Sequence, residues 1–300
     1  SASAARRPAG VHDRPMSEIP TPYGAAGGLV RVYPARVLER PTPGLVWLHG
    51  GGFAAGDIDM PEADHVARTL ADAGTTVLSV DYRLAPLPDG WEAPATEPGR
   101  ERAGYPAASD DTLAAWDWLL AEAATLGVDP ARLAIGGASA GANIATGAVL
   151  RLIQNDRHLP ALVLLAYPTL LAEQPAPEGE LRAALDARPA ADRFGPDAVR
   201  GMYENYLGGS VVDAPLAAIP GLASADDLAE FPSTLIVAGD VDELRVSSEH
   251  FARTLSAAGR DVEHVIEPGT DHGHLNRPDE GDAASLTLAR FAARLAALTP

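Results

Sequence analysis

Arg132-Leu133-Ala134-Ile135-Gly136-Gly137-Ala138-Ser139-Ala140-Gly141-Ala142-Asn143-Ile144 is the stretch on which the fold turns. A short apolar run passes through Gly-x-Ser-x-Gly into a segment of helical spacing, so the stretch reads as strand, sharp turn and helix. So tight a turn admits only Gly or Ala beside the serine, because a larger side chain would strike the strand behind it. The hydroxyl is then held out at the positive end of the helix. Read without that context, the same residues are a Gly-rich helix start with an incidental serine.

Outward from this turn the chain alternates between strands and helices. Apolar runs at Leu29 to Tyr33, Gly44 to Leu48, Thr75 to Val80, Arg132 to Ile135, Ala161 to Ala166, Thr234 to Ala238 and Val262 to Ile266 have the length of buried strands. Asp59 and Glu62 suggest a capping box for a helix carrying Val66 and Leu70 and closed by Gly74. Leu113, Trp116, Leu120 and Ala123 share one face of the next helix, and others follow Ser139, Leu244 and Gly281. The alternation predicts a doubly wound, mostly parallel α/β sheet whose site lies at the carboxyl ends of the strands. Two segments break the rhythm. Residues 87 to 104 read as a long Pro-rich surface loop, and residues 172 to 231 as an inserted helical cap with helices near Glu180 to Ala187 and Pro196 to Leu207. The 300 residues thus form one domain, with residues 1 to 28 as a short N-terminal arm.

Composition narrows the chemistry. With 23 basic and 41 acidic residues the formal charge is −18, which repels nucleic-acid phosphates and anionic lipid. Every basic side chain in the count is Arg. The chain has no cysteine, so disulfides, thiolate nucleophiles and Cys-ligated zinc are excluded. No apolar run approaches the roughly 20 residues of a membrane helix, and Arg6-Arg7 leads into Pro8 and Gly10 instead of an apolar signal core. A cytoplasmic location is the expectation.

Against that background a serine nucleophile needs an anion hole and a base. His49-Gly50-Gly51-Gly52-Phe53 follows the strand Leu45 to Leu48, and its glycines let backbone amides approach a ligand oxygen. A phosphate loop is the rival reading, weakened by the absence of the Lys-Ser/Thr pair. Asp240-Val241-Asp242-Glu243-Leu244-Arg245 and Asp271-His272-Gly273-His274 supply an acid and a base in the order Ser, acid, His. Either Asp240 or Asp242 serves on spacing alone, and His272-x-His274 also reads as a metal pair lacking an obvious third ligand.

In combination, His49 to Phe53, Asp81-Tyr82-Arg83-Leu84-Ala85-Pro86, Tyr105-Pro106-Ala107-Ala108 with Asp110-Asp111, Gly137 to Gly141, Asp242 to Arg245 and His272-Gly273 resemble the bacterial hormone-sensitive-lipase-like branch of the α/β-hydrolases. The resemblance covers about residues 29 to 297. It implies an α/β-hydrolase fold, with a central sheet of about eight strands and a small helical cap. It also implies Ser139 as nucleophile, His272 as base, Asp242 as its orienting acid, and an oxyanion hole from the amides of Gly51, Gly52 and Ala140. Asp242 is favoured because it precedes Leu-Arg as in the family's Asp-Pro-Leu-Arg pattern, although Glu243 replaces the proline; Asp240 stays the alternative.

The implied activity is a serine carboxylesterase acting on small to medium acyl esters, with no cofactor and no metal. An amidase, lactonase or carbamate hydrolase using the same machinery is the alternative, and a non-catalytic small-molecule receptor of this fold a more distant one. A homodimer is compatible with the family, though no segment compels one. Phe53, Trp91, Met202, Tyr203 and Tyr206 are candidate pocket residues; the lid aromatics read equally well as glue between cap and sheet. Asp57 and Asp59 read as a turn residue and a helix cap. Ala138 and Ala142 depart from the family's usual residues beside the nucleophile turn.

Overall fold

The computed structural model describes residues 28–37, 41–91 and 101–300. The N-terminal arm lies almost wholly outside these residues, as does the middle of the 87 to 104 loop. The seven apolar runs become β1 (Val30–Tyr33), β2 (Thr42–Leu48), β3 (Thr76–Val80), β4 (Val128–Ala138), β5 (Leu162–Ala166), β6 (Ser233–Val241) and β7 (Val262–Asp271). They form one sheet in the order β1-β3-β2-β4-β5-β6-β7. β1 pairs antiparallel with β3, and every other pair is parallel. The sheet therefore has seven strands among the described residues, against the expected eight or so.

Alternation along each central strand sends side chains to both faces, and each face has its own core. In β2, Val46 and Leu48 face one core while Leu45 and Trp47 face the other. The first core is covered by α2 (Ala107–Leu126), α3 (Ala140–Gln154) and α6 (Arg245–Ala257), through residues such as Trp116, Ile144 and Phe251. The second is covered by α1 (Asp64–Asp72) and α7 (Ala283–Ala296), through Val66, Leu70, Leu288 and Phe291. The family fold is thus present: a mostly parallel sheet with helices on both sides.

Between β5 and β6 the chain departs from the sheet and forms α4 (Gly179–Ala187) and α5 (Pro196–Leu207). Pro196 opens α5 where no amide donor is needed, and Gly208 closes it in the left-handed conformation. α5 buries Val199, Tyr203 and Tyr206 against the first core, which brings it across the carboxyl ends of the strands. One expected local feature is absent. Asp59 and Glu62 form no capping box; the N-cap of α1 is Ala63, with no side-chain cap bond. Asp57 instead accepts the amides of Asp59 and Met60, and Asp59 pairs with Arg31.

Candidate active site

β4 runs without a break into Ser139, and α3 begins at the next residue. Ser139 holds φ 52° and ψ −118°, a strained conformation for a residue with a side chain. Its amide donates to Ala166 O at 2.9 Å, which ties the turn to β5. Gly141 is required here because a Cβ would lie 2.3 Å from His49 O and 2.4 Å from Leu48 O. Helix α3 therefore passes directly against the end of β2, and its start points at the serine.

The other two residues arrive from the last two strands. His272 Nε2 lies 2.9 Å from Ser139 Oγ, and His272 Nδ1 lies 2.8 Å from Asp242 Oδ2. The second oxygen of Asp242 accepts the Leu244 amide at 2.9 Å, so both carboxylate oxygens are engaged and the group is fully buried. Asp240, the alternative acid, accepts the Thr270 amide at 2.9 Å and takes no part in this line. His274 points elsewhere, with Nε2 against Thr287 Oγ1 at 2.9 Å. Among the described residues no group of three or more His, Cys, Asp or Glu is arranged to hold a metal.

On the other side of the serine, Gly51 and Gly52 take φ of 121° and 58°. A Cβ on Gly51 would lie 2.0 Å from Ala55 O, so only glycine fits. The Gly51 carbonyl turns inward to accept the amides of Ala54 and Ala55, while among the described residues the amides of Gly51, Gly52 and Ala140 donate to nothing. Three such donors near a serine hydroxyl suit an anion.

These groups open into a cavity of about 670 Å³, a size common to small-molecule sites. Ser139, His272, Gly51 and Gly52 lie on its floor; Met60, Pro88, Trp91, Phe194 and Met202 are among its apolar lining. Two of the five candidate pocket residues, Trp91 and Met202, thus face the cavity. Phe53, Tyr203 and Tyr206 do not, which corrects their placement. Phe53 stacks on Tyr206 at 4.0 Å and meets Tyr203 edge-on at 5.2 Å, so the three form the aromatic layer that joins α5 to the glycine loop. Asn143 Nδ2 donates to the Tyr203 hydroxyl at 2.7 Å and fixes the same helix from α3.

Several contributors were not singled out as site residues in the sequence. Phe194 packs edge-on against His272 at 4.7 Å, its amide held by the Glu243 carboxylate and its carbonyl by the Gln174 side-chain amide at 3.3 Å. Burial raises the Glu243 carboxyl above its usual range, and Asp192 pushes the same way. Tyr167 packs edge-on against both His272 and His274 at 4.9 Å, and Glu62 is buried beside it. Glu243 carried one signal, as the residue standing where the family has proline.

A family model described as the alpha/beta hydrolase fold matches residues 100–276. The chain belongs to the α/β-hydrolase family. A further model, BD-FAE, matches residues 30–163. Carboxylesterase NlhH of Mycobacterium tuberculosis is 39% identical to this α/β-hydrolase over 253 residues, 82% of this chain and 71% of that protein. Ethyl acetate hydrolase of Pseudomonas putida is 30% identical over 241 residues, 77% of this chain and 65% of that protein. An esterase from Pyrobaculum calidifontis superposes with a TM-score of 0.75 at 27% identity, covering 95% of this chain and 88% of that one. No helix among the described residues of this α/β-hydrolase is long and apolar enough to cross a membrane.

Proposed function

We propose that this protein is a serine carboxylesterase that cleaves small to medium acyl esters through an acyl-enzyme on Ser139. That it is a carboxylic ester hydrolase follows from its family and its relatives. The observation that carries the finer reading is His272, which bridges Ser139 and Asp242 at 2.9 and 2.8 Å.

In this reaction neutral His272 takes the Ser139 proton through Nε2 as the alkoxide attacks the ester carbonyl. Asp242 holds the Nδ1 proton and stabilises the imidazolium that forms. The amides of Gly51, Gly52 and Ala140 receive the developing oxyanion. His272 then gives its proton to the leaving alcohol, and water repeats the sequence on the acyl-enzyme to release the acid. The segment from 172 to 231 acts as the cap of a single catalytic domain, with Met202 and Phe194 over the reacting carbonyl. A cavity of about 670 Å³ suits esters of modest size.

A fluorophosphonate probe should label Ser139 stoichiometrically, and Ser139→Ala should lower kcat by roughly a million-fold with the fold intact. Turnover by Ser139→Ala above about a thousandth of the wild-type rate would overturn the assignment. Initial rates on a matched aryl ester and anilide separate esterase from amidase, the ester being the faster substrate.

A further inference from the structure

Beneath the glycine loop lies an acidic side chain that the ester chemistry does not use. Glu62 is 2% exposed, and each of its polar atoms is engaged. Oε1 accepts the Gly50 amide at 2.6 Å, and Oε2 accepts the Tyr167 hydroxyl at 2.6 Å. Its amide donates to Asn276 Oδ1 at 3.2 Å, and its carbonyl accepts the Trp47 indole N–H at 2.7 Å. Those partners belong to the glycine loop, the end of β5, the turn after His272, and β2.

Two of these contacts reach the proposed reaction machinery. Gly50 immediately precedes the two glycines assigned to the oxyanion, so the bond to its amide sets the orientation in which their amides follow. Tyr167 packs T-shaped against His272, and its hydroxyl donates to Glu62 while the Leu275 amide approaches the same oxygen. A Cβ on Gly50 would lie 2.6 Å from Glu62 Oε1 and 3.0 Å from Ser139 Cβ, so the carboxyl and the nucleophile crowd the same glycine. Burying a carboxyl is unfavourable, and an apolar residue would fill the space without that penalty. Burial pushes the Glu62 carboxyl above its ordinary range, while the Tyr167 and Gly50 donors and the nearby His272 pull it back.

We propose that Glu62 is a positioning residue for the reaction: one carboxyl fixes the glycine loop through Gly50 and steadies His272 through Tyr167. The proposal rests on the serine-relay reading given above. It gives the two halves of the site, anion hole and base, a common support.

The test compares Glu62→Ala, Glu62→Gln and Tyr167→Phe with the wild-type chain on p-nitrophenyl butyrate. Competent sites are counted with a fluorophosphonate, and affinity is measured for an aryl trifluoromethyl ketone, which forms a tetrahedral adduct on the serine. Glu62→Ala should lower kcat per labelled site about a hundredfold with KM changed less than about threefold, and weaken the ketone by the same factor as kcat/KM. Glu62→Gln keeps an oxygen for Gly50 and reach to Tyr167, and should recover to within about fivefold of wild type. Tyr167→Phe should fall between, near a tenfold loss in kcat.

A residue that merely supports the fold would reduce the number of labelled sites or the melting temperature, while surviving sites kept wild-type kcat and ketone affinity. That outcome overturns the proposal. If Glu62→Ala does not fold, Tyr167→Phe decides: wild-type kcat and ketone affinity in that variant reject the role. Failure of the wild-type protein to label at Ser139 would instead reject the serine relay itself.

Discussion

Ser139 and His272 on the floor of the cavity, with Asp242 buried behind His272, stand where β4, β7 and β6 end, with the backbone of each bound into or beside the sheet. On the wall, α5 and the loop carrying Phe194 are joined to that floor chiefly through side chains: the Phe53–Tyr206 stack, the Asn143–Tyr203 bond and the clamps on Phe194. Floor geometry is therefore over-determined, and small steric changes there are expected to cost rate. Wall geometry depends on a few contacts that can be altered singly, so its substitutions should change stability or substrate affinity and leave the chemistry running.

Beyond loss of Ser139 itself, the largest effect should come from Gly51→Ala. Its Cβ would collide with the Ala55 carbonyl at 2.0 Å, and φ of 121° is unfavourable for alanine, so the loop must move. We expect kcat to fall at least about a hundredfold, with an unchanged far-ultraviolet circular dichroism spectrum. Gly52→Ala, at φ 58°, meets only the flexible Met202 side chain of the wall, at 3.4 Å and beyond, and should cost less. Equal losses in the two variants would erase the distinction between a rigid floor and an adaptable wall.

Next in size is an acid-sensitive contribution from beneath the floor. Burial, with the His272 charge adding to it, lowers the His274 pKa from 6.5 to about 4. Between those values the unfolded chain binds a proton that the folded protein does not, so stability should fall as pH drops from about 6.5 to 4, by up to about 3 kcal/mol. Glu62 runs the other way: its carboxyl is raised in the fold, and its contribution to stability is lost as pH rises through the folded value. The gain in urea midpoint from pH 4.5 to pH 7 should therefore be smaller in His274→Gln than in wild type, the Glu62 contribution being common to both. Identical differences would mean that His274 takes up its proton in the fold as readily as in the unfolded chain.

A comparable change at the junction of floor and wall should affect stability without pH dependence. Tyr203→Phe removes the acceptor of the buried Asn143 amide and should cost about 1–3 kcal/mol in chemical denaturation. Tyr206→Phe, whose hydroxyl is buried without a partner among the described residues, should be neutral or stabilising.

The same division explains what could be read from the sequence. The seven strands, the two helices between β5 and β6 and the chain order serine, acid, histidine followed from local pattern, because strand ends are marked by apolar runs and glycines; the choice of Asp242 over Asp240 came from the family resemblance. β4 nevertheless runs on through Gly136 and Gly137, which resemble a turn in sequence but pair with Leu164 and Leu165. A Cβ at Gly136 would lie 2.3 Å from Leu164 O, so these glycines serve close strand packing. Glu62 was hidden for a different reason. A glutamate three residues after an aspartate has the spacing of a helix cap, whereas its partner Tyr167 is 105 residues away. Phe53, Tyr203 and Tyr206 had the right composition for a pocket, and only the packing of α5 reveals that they face one another.

The smallest effect should arise at the rim. Trp91 is 55% exposed and borders the cavity, so its side chain has little to contribute to folding. Trp91→Ala should alter stability by less than about 0.5 kcal/mol. An indole that rests on bound ester before and during acyl transfer stabilises ground and transition states alike, which lowers KM and leaves kcat alone. The variant should thus raise KM severalfold for aryl esters, less for ethyl esters, with kcat within about twofold of wild type. A fall in kcat instead would place Trp91 against the reacting centre and make this part of the wall belong, in function, to the floor.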